Sequence, residues 1–318
     1  MDPLTQTIAL LRPQAFNWKE AEAAGDWALR FPGATGVAFC LIGAGSCRLD
    51  VLGQDTRPLG EGDYVLLAAP PAWTLSHGGP GPSIEFSRDP SESDRLKSFI
   101  GQRGGGPVTR LLGGHFRFDR ANAERFASLV PPMVHIRSSE PGAGRLRTVL
   151  GLVDDEALAD RPGRALVIER LLEVMLVEAI RHGAGLTGPV RQGLVAGLSD
   201  PQVAAALRAL HADVRRGWTV EQLAGVAGAS RSAFAERFSR LVGLPPIDYL
   251  QQWRMALAKD RLRSGGARLS EVAFACGYHS ASAFSAAFSR VVGCSPARYA
   301  ASGRARDSGE ITTAPSAG

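Results

Sequence analysis

The twelve residues from Ser232, SAFAERFSRLVG, return almost unchanged from Ser282 as SAFSAAFSRVVG. A chain that spells one dodecapeptide twice within fifty residues builds the same local object twice, and few folds allow this. The echo runs further: Leu223-Ala224 reappears as Val272-Ala273, Gly228 as Gly277, Pro246 as Pro296 and Tyr249 as Tyr299. The offset is 49 before the turn and 50 after it, so the second turn, GYHS, is one residue longer than the first, GAS.

Each copy reads as helix, turn, helix. In the first, Thr219 caps a helix with Gln222 as its capping-box partner. Val220, Leu223 and Val226 share one face, Gly228 suits the left-handed residue that ends a helix, and Ser230 caps the next one. Phe234, Phe238 and Leu241 then form a buried stripe at i, i+4 and i+7. The second copy repeats this with Val272, Cys276, Gly277, Ser280, Phe284, Phe288 and Val291. Between them PIDYLQQWRMALAKDRLRSGG reads as one long helix, with Pro246 in its first turn and Leu250, Trp253 and Leu257 spaced to touch both copies. Two tandem helix-turn-helix patterns of this kind point to DNA, because the second helix of each offers its exposed face to the major groove.

Charge agrees. The first 199 residues hold 21 basic and 22 acidic side chains; residues 200–318 hold 15 and 9, and the basic ones are nearly all Arg. Arg forms bidentate bonds to phosphate and guanine. With 45% apolar and 21% charged residues the chain can build folded cores. No apolar run approaches the length of a membrane span, and MDPLTQTIALLRP lacks the pattern of a secretory signal. Cys40, Cys47, Cys276 and Cys294 show no CxxC spacing, which predicts reduced thiols in a cytoplasm.

Residues 8–120 carry short apolar runs between Gly and Pro, such as GVAFCLIG, SCRLDVLG and DYVLLAAPP, and predict a small barrel or sandwich of short strands. Residues 145–159 and 165–180 read as helices. The second is apolar over most of its circumference: Leu172 and Met175 cannot share a side with Leu171 and Val174. Such a helix is buried or shared with a second subunit, and a dimer helix is the expectation. The predicted class is α+β: a β-barrel followed by helices, then an all-α domain with two helix-turn-helix units. The expected boundaries are 1–182 for a sensor and dimerisation domain, 183–200 for a linker, 201–301 for DNA binding and 302–318 for a disordered tail.

GWTVEQLAGVAGASRSAFAERFSRLVGLPPIDYLQQWRM followed by LSEVAFACGYHSASAFSAAFSRVVGCSPARY resembles the DNA-binding domain of AraC/XylS-type transcriptional regulators. WALRFP, GDYVLL, LLGGHFRFD, LVPPMVHI and RPGRALVIERLLEVMLVEAIRH are similar to the cupin-type sensor domain of one branch of that family. The resemblance implies a cytoplasmic transcription factor, an activator, that answers a ligand or stress and is no enzyme. Its implied partners are a double-stranded DNA operator, a second copy, RNA polymerase and an unknown small-molecule effector, with no membrane.

The Phe stripe fixes the rotation of each recognition helix, so Arg231, Ser232, Ala235, Glu236 and Ser239 face outward in the first. The resemblance places base reading on Ser232, Ala235 and Glu236, with Arg231, Arg237 and Arg240 expected on phosphates. The second helix presents Ser280, Ala281, Ser282, Ser285 and Ala286, with Arg290 on the backbone. Many relatives carry Arg where Ala286 stands, so weaker base reading is expected there.

For the sensor, Trp27, Phe39 and Trp73 are either effector-lining or core residues. Trp73 stands where cupins often place a metal-binding His, no HxH occurs, and His77, His115 and His135 are scattered, so neither metal nor other cofactor is expected. Two rival readings are a redox switch through Cys40 and Cys47 and, more remotely, a metal-dependent cupin enzyme.

Overall fold

The computed structural model describes residues 2–34, 36–79, 83–85, 100–101, 106–118, 132–140, 143–159, 161–185 and 192–309. The chain divides into two compact units.

The first unit comprises Arg12–Asp119 and Ala123–Val195, and among its described residues eleven strands form two sheets. One runs in the order β11 (Met133–Ile136), β6 (Tyr64–Ala68), β3 (Val37–Ala44), β10 (Val108–Arg117), β1 (Gln14–Ala24), β9 (Ile100–Gly101). The other runs β5 (Arg57–Gly60), β4 (Ser46–Val51), β7 (Trp73–His77), β2 (Trp27–Phe31), β8 (Ser83–Glu85). Strand β3 has neighbours on both edges and its first six residues are all buried, as its unbroken apolar run requires. In β4 the burial alternates, with Cys47, Leu49 and Val51 inward. Residues of both sheets share one core, including Cys40, Ile42 and Leu67 from the first and Trp27, Leu49 and Trp73 from the second. The two sheets thus sandwich one core, as the sequence led us to expect of a small barrel or sandwich; among the described residues no hydrogen-bonded ladder joins them.

Buried Asp63 ties the strand ends: it accepts from the Gly60 amide (3.0 Å), the Ser138 amide (2.9 Å) and His135 Nε2 (3.1 Å). Helices α2 (Gly144–Leu158) and α3 (Arg164–Gly185) complete the unit, α3 packing on β1 and β11. On α3, Ile168, Leu172, Met175 and Ala179 are buried, whereas Leu166, Val167 and Val174 are exposed and Leu171 is half-buried.

The second unit joins α1 (Pro3–Leu11) to the chain from Ala196 onward, so the first eleven residues leave the expected 1–182 grouping. The cause is a stripe at i, i+4 and i+8: Pro3, Thr7 and Leu11 bury themselves against α5 (Pro201–Ala212) and α8 (Pro246–Ser264). The short α4 (Leu194–Ser199) lies in the stretch expected to be linker; residues 186–191 of that stretch lie outside the described residues. Then follow α6 (Val220–Ala227), α7 (Arg231–Val242), α9 (Leu269–Ala275), α10 (Ala281–Val292) and α11 (Pro296–Gly309). Helix α11 continues to Gly309, where a disordered tail was expected from residue 302; residues 310–318 lie outside the described set.

Local chemistry sets these boundaries. Thr219 and Gln222 form a full capping box on α6. Gly228 ends α6 at φ 65°, which costs a residue without a side chain little. Ser230 and Ser280 each accept the amide of the residue three along, Ala233 and Ala283. The aromatic core repeats as the sequence does: Phe238 meets Tyr249 edge-on at 5.9 Å and Phe288 meets Tyr299 edge-on at 5.6 Å. Helix α8 serves both copies, with Leu250 and Trp253 buried near its start and Met255 and Ala258 in the core of the second.

Candidate nucleic-acid interface and sensor cleft

Helices α7 and α10 each bury their Phe pair and turn the opposite face to solvent. On α7, Arg231, Ser232, Glu236, Arg237 and Arg240 are exposed and Ala235 is half-buried. Ser232, Ala235 and Glu236 therefore form a short outward-facing row. The arginines differ. Arg231 Nε lies 2.8 Å from Glu221, both side chains well exposed. Arg237 Nη1 bonds Asp200 Oδ2 at 2.9 Å, while Asp200 Oδ1 caps α5 through the amides of Gln202 and Val203. That carboxylate is largely buried, so Arg237 fastens the recognition helix to the start of α5. Arg240 sits in the last turn of α7 and Arg290 in the last turn of α10.

On α10, Ser280 and Ser282 share a hydroxyl contact of 3.1 Å while Ser280 caps the helix. Ser285 donates back to the Ala281 carbonyl at 2.7 Å, which leaves its oxygen free to accept. Ala286 is exposed and adds no polar group. The second face thus offers hydroxyls and methyls, the first a carboxylate and arginines.

Beside α7, His211 is buried and its Nε2 lies 2.7 Å from the Tyr249 hydroxyl. Its Nδ1 lies 3.0 Å from Gln6 Oε1, and its ring is 4.2 Å from that of Trp253. Burial lowers its pKa to about 4, against a smaller opposing pull from Asp2. The neutral ring then donates from Nδ1 to Gln6 and accepts from Tyr249. No residue pattern in the sequence announces this pair, because its members are 205 positions apart.

In the sheet unit a narrow cleft with about 40 Å³ of accessible space enters between the sheets. Phe39 and Trp73 line it together with Phe31, Leu75 and Leu111, and Lys19 and His115 are its basic lining residues. Trp27, expected beside them, is wholly buried in the core and does not line the cleft. Phe31 and Trp73 stack at 3.8 Å with their planes 8° apart. Gly114 forms part of the wall because a Cβ there would lie 2.8 Å from the Trp18 backbone and 3.0 Å from the Phe39 ring.

Cys40 and Cys47 are both buried, and burial pushes the Cys47 thiol to about 12 and the Cys40 thiol well above its usual value. Both stay protonated and weakly nucleophilic. His77 Nδ1 lies 3.0 Å from the Ser46 carbonyl, His135 binds Asp63, and His115 faces the cleft. Among the described residues no three His, Cys, Asp or Glu side chains gather as metal ligands, and no helix is long and apolar enough to cross a membrane.

A family model described as Cupin matches residues 2–184, and one described as Helix-turn-helix domain matches residues 223–302. An AraC-like transcription regulator of Streptomyces lividans is 37% identical over 284 residues, covering 89% of this chain and 92% of its own. The chain belongs to the AraC-like transcription regulators. Another of these, from Streptomyces antibioticus, is 36% identical over 287 residues, covering 89% of this chain and 92% of its own. Among solved structures, the DNA-binding domain of AdpA in complex with a target DNA is 37% identical, covers 34% of this chain and 96% of its own, and has a TM-score of 0.32. As an AraC-like regulator, the chain carries a cupin domain followed by a helix-turn-helix DNA-binding domain.

Proposed function

We propose that this AraC-like regulator binds its operator as a homodimer and is controlled by a small molecule held in the cupin cleft. The observation that carries the reading is the presence in one chain of two outward-facing recognition helices and an aromatic-walled cleft within the sensor core. The role is binding, not catalysis. Free cysteines throughout support work in a reducing cytoplasm. Ser232, Ala235 and Glu236 of α7 read bases; Ser282 and Ser285 of α10 read them more weakly. Arg231, Arg240 and Arg290 hold phosphates, with Arg231 exchanging Glu221 for the backbone. Arg237 serves chiefly to orient α7.

The dimer rests on α3, whose stripe of Val167, Leu171 and Val174 faces away from its own core while Leu172 and Met175 face into it. The same stripe from two subunits is self-complementary across a two-fold axis. Two linked DNA-binding units would bind one operator far more tightly than one. Light scattering of the full-length protein at about micromolar concentration, where a contact worth about 8 kcal/mol is half-formed, tests this. The double variant Leu171→Glu/Val174→Glu is expected to be a folded monomer that footprints its operator only at higher concentration. A monomeric wild type, or a variant that remains dimeric, refutes the dimer.

A further inference from the structure

Residues 213–218, between α5 and α6, run from one helix-turn-helix unit to the other. At one end Trp218 precedes Thr219, the cap of α6, and its indole donates to the Asp213 carbonyl at 3.0 Å. At the other, Arg215 packs on the turn of the second unit: a Cβ on Gly277 would lie 2.9 Å from the Arg215 Cα and carbonyl oxygen. Only a residue without a side chain admits that approach. Gly277 stands three residues before Ser280, the cap of α10. The central helix α8 fixes the segment. Arg254 Nε donates to the Val214 carbonyl and Nη2 to the Arg216 carbonyl, both at 2.9 Å. Asp213 completes the frame by accepting the amides of Arg215 and Arg216 at 3.2 Å.

This frame holds two exposed arginines. Their guanidiniums lie over aromatic rings: Arg216 Cζ is 4.1 Å from the centre of Trp218, and Arg215 Cζ is 5.6 Å from that of Phe274, which is 62% exposed. A ring face orients a guanidinium without neutralising it and leaves its N–H edges open to an anion. The carboxylates of the flanking helices are engaged elsewhere, Glu221 of α6 with Arg231 and Glu271 of α9 with the Arg268 amide. The only cation of α10 itself is Arg290, in its last turn.

We propose that residues 213–218 form a third DNA contact, in which Arg215 and Arg216 hold the phosphates between the grooves entered by α7 and α10. The inference rests on α7 and α10 being the base-reading helices. A duplex read by two helices of one chain presents, between them, backbone that carries charge and no sequence. A segment with a fixed main chain and two oriented guanidiniums suits that task. It also offsets the weaker second face: α10 brings hydroxyls and methyls to the bases while the segment supplies the charge. An acidic peptide is the other partner such a patch could meet; its place beside both units favours DNA.

The test uses the full-length protein, the duplex that the wild type enriches from a randomised pool, and an unrelated duplex of equal length. Arg215→Ala/Arg216→Ala is expected to weaken binding to both duplexes by the same factor, about tenfold per arginine at ~0.1 M salt, and to lower the salt slope by about two. Arg215→Lys/Arg216→Lys should keep the slope within about half a unit of the wild type, since charge sets it. Ethylation interference at the phosphates between the two protected grooves should disappear in the alanine variant alone. If the two arginines are purely structural, the alanine variant melts earlier but keeps the wild-type slope and interference, and the proposal is overturned. An unchanged slope and interference pattern at unchanged stability overturns it too, and leaves the patch to an acidic protein partner. A wild type that protects only one groove refutes the two-helix reading, and this inference falls with it.

Discussion

Acidification probes the buried histidine of the DNA-binding unit. His211 titrates near 6.5 when unfolded and near about 4 in the fold, mainly because burial disfavours its charged form. The depressed value sets the sign. Above the unfolded value both states are neutral and the fold has its full stability. As pH falls below 6.5 the unfolded chain takes up the proton first, so stability drops until the folded histidine also titrates near about 4. A gap of this size corresponds to roughly 3 kcal/mol lost across the interval. Protonation would also place a second N–H against the Tyr249 hydroxyl and a charge against the Trp253 ring stack. The assay is urea unfolding of the full-length protein from about pH 7.5 to about pH 4.5, around the ordinary histidine range, with the wild type compared to His211→Gln. The variant is expected to be less stable at neutral pH but to lose distinctly less on acidification. Parallel curves for the two proteins would show that the histidine is not the titrating group and that its burial has been misjudged.

The arginines of α7 should separate by salt. Arg240→Ala is expected to weaken binding to all duplexes and lower the salt slope by about one, as losing one phosphate contact does. Arg237→Ala is expected to leave the slope unchanged and to cost stability of about 1 kcal/mol or less, because its guanidinium is partly exposed. An Arg237 variant with a reduced salt slope and unchanged stability would return that residue to the phosphate backbone.

How much of this was legible in the sequence depended on how local the cause was. The capping box at Thr219 and Gln222, the left-handed Gly228 and the Phe pairs are encoded within one helical turn or two, and they appear where the sequence placed them; Val291, expected to extend the second stripe, is exposed. The helix spanning α3 was readable as a helix but not in rotation, since apolar residues surround it; only packing on β1 and β11 separates Leu172 and Met175 from Leu171 and Val174. The recognition-helix arginines looked equivalent, yet Arg237 meets a carboxylate 37 positions away. The cleft needed Lys19, Phe39, Trp73 and His115 to be brought together from four strands, and Trp27, equally aromatic, went to the core. The docking of α1 is the most distant case. Neither the helix nor its partner was read from the sequence, since its buried residues Pro3, Thr7 and Leu11 meet helices about 200 positions away.

The central claim is that the exposed row on α7 reads bases. The direct measurement is selection of full-length protein on randomised duplexes, followed by sequencing, for the wild type, Glu236→Ala and Arg240→Ala. The wild type should enrich one defined motif. Glu236→Ala should relax preference at one or two positions by about 1–3 kcal/mol each, the scale of a base-edge contact, while Arg240→Ala keeps the wild-type motif at lower affinity. An unchanged motif for Glu236→Ala together with an altered one for Arg240→Ala would contradict the assigned faces of the helix.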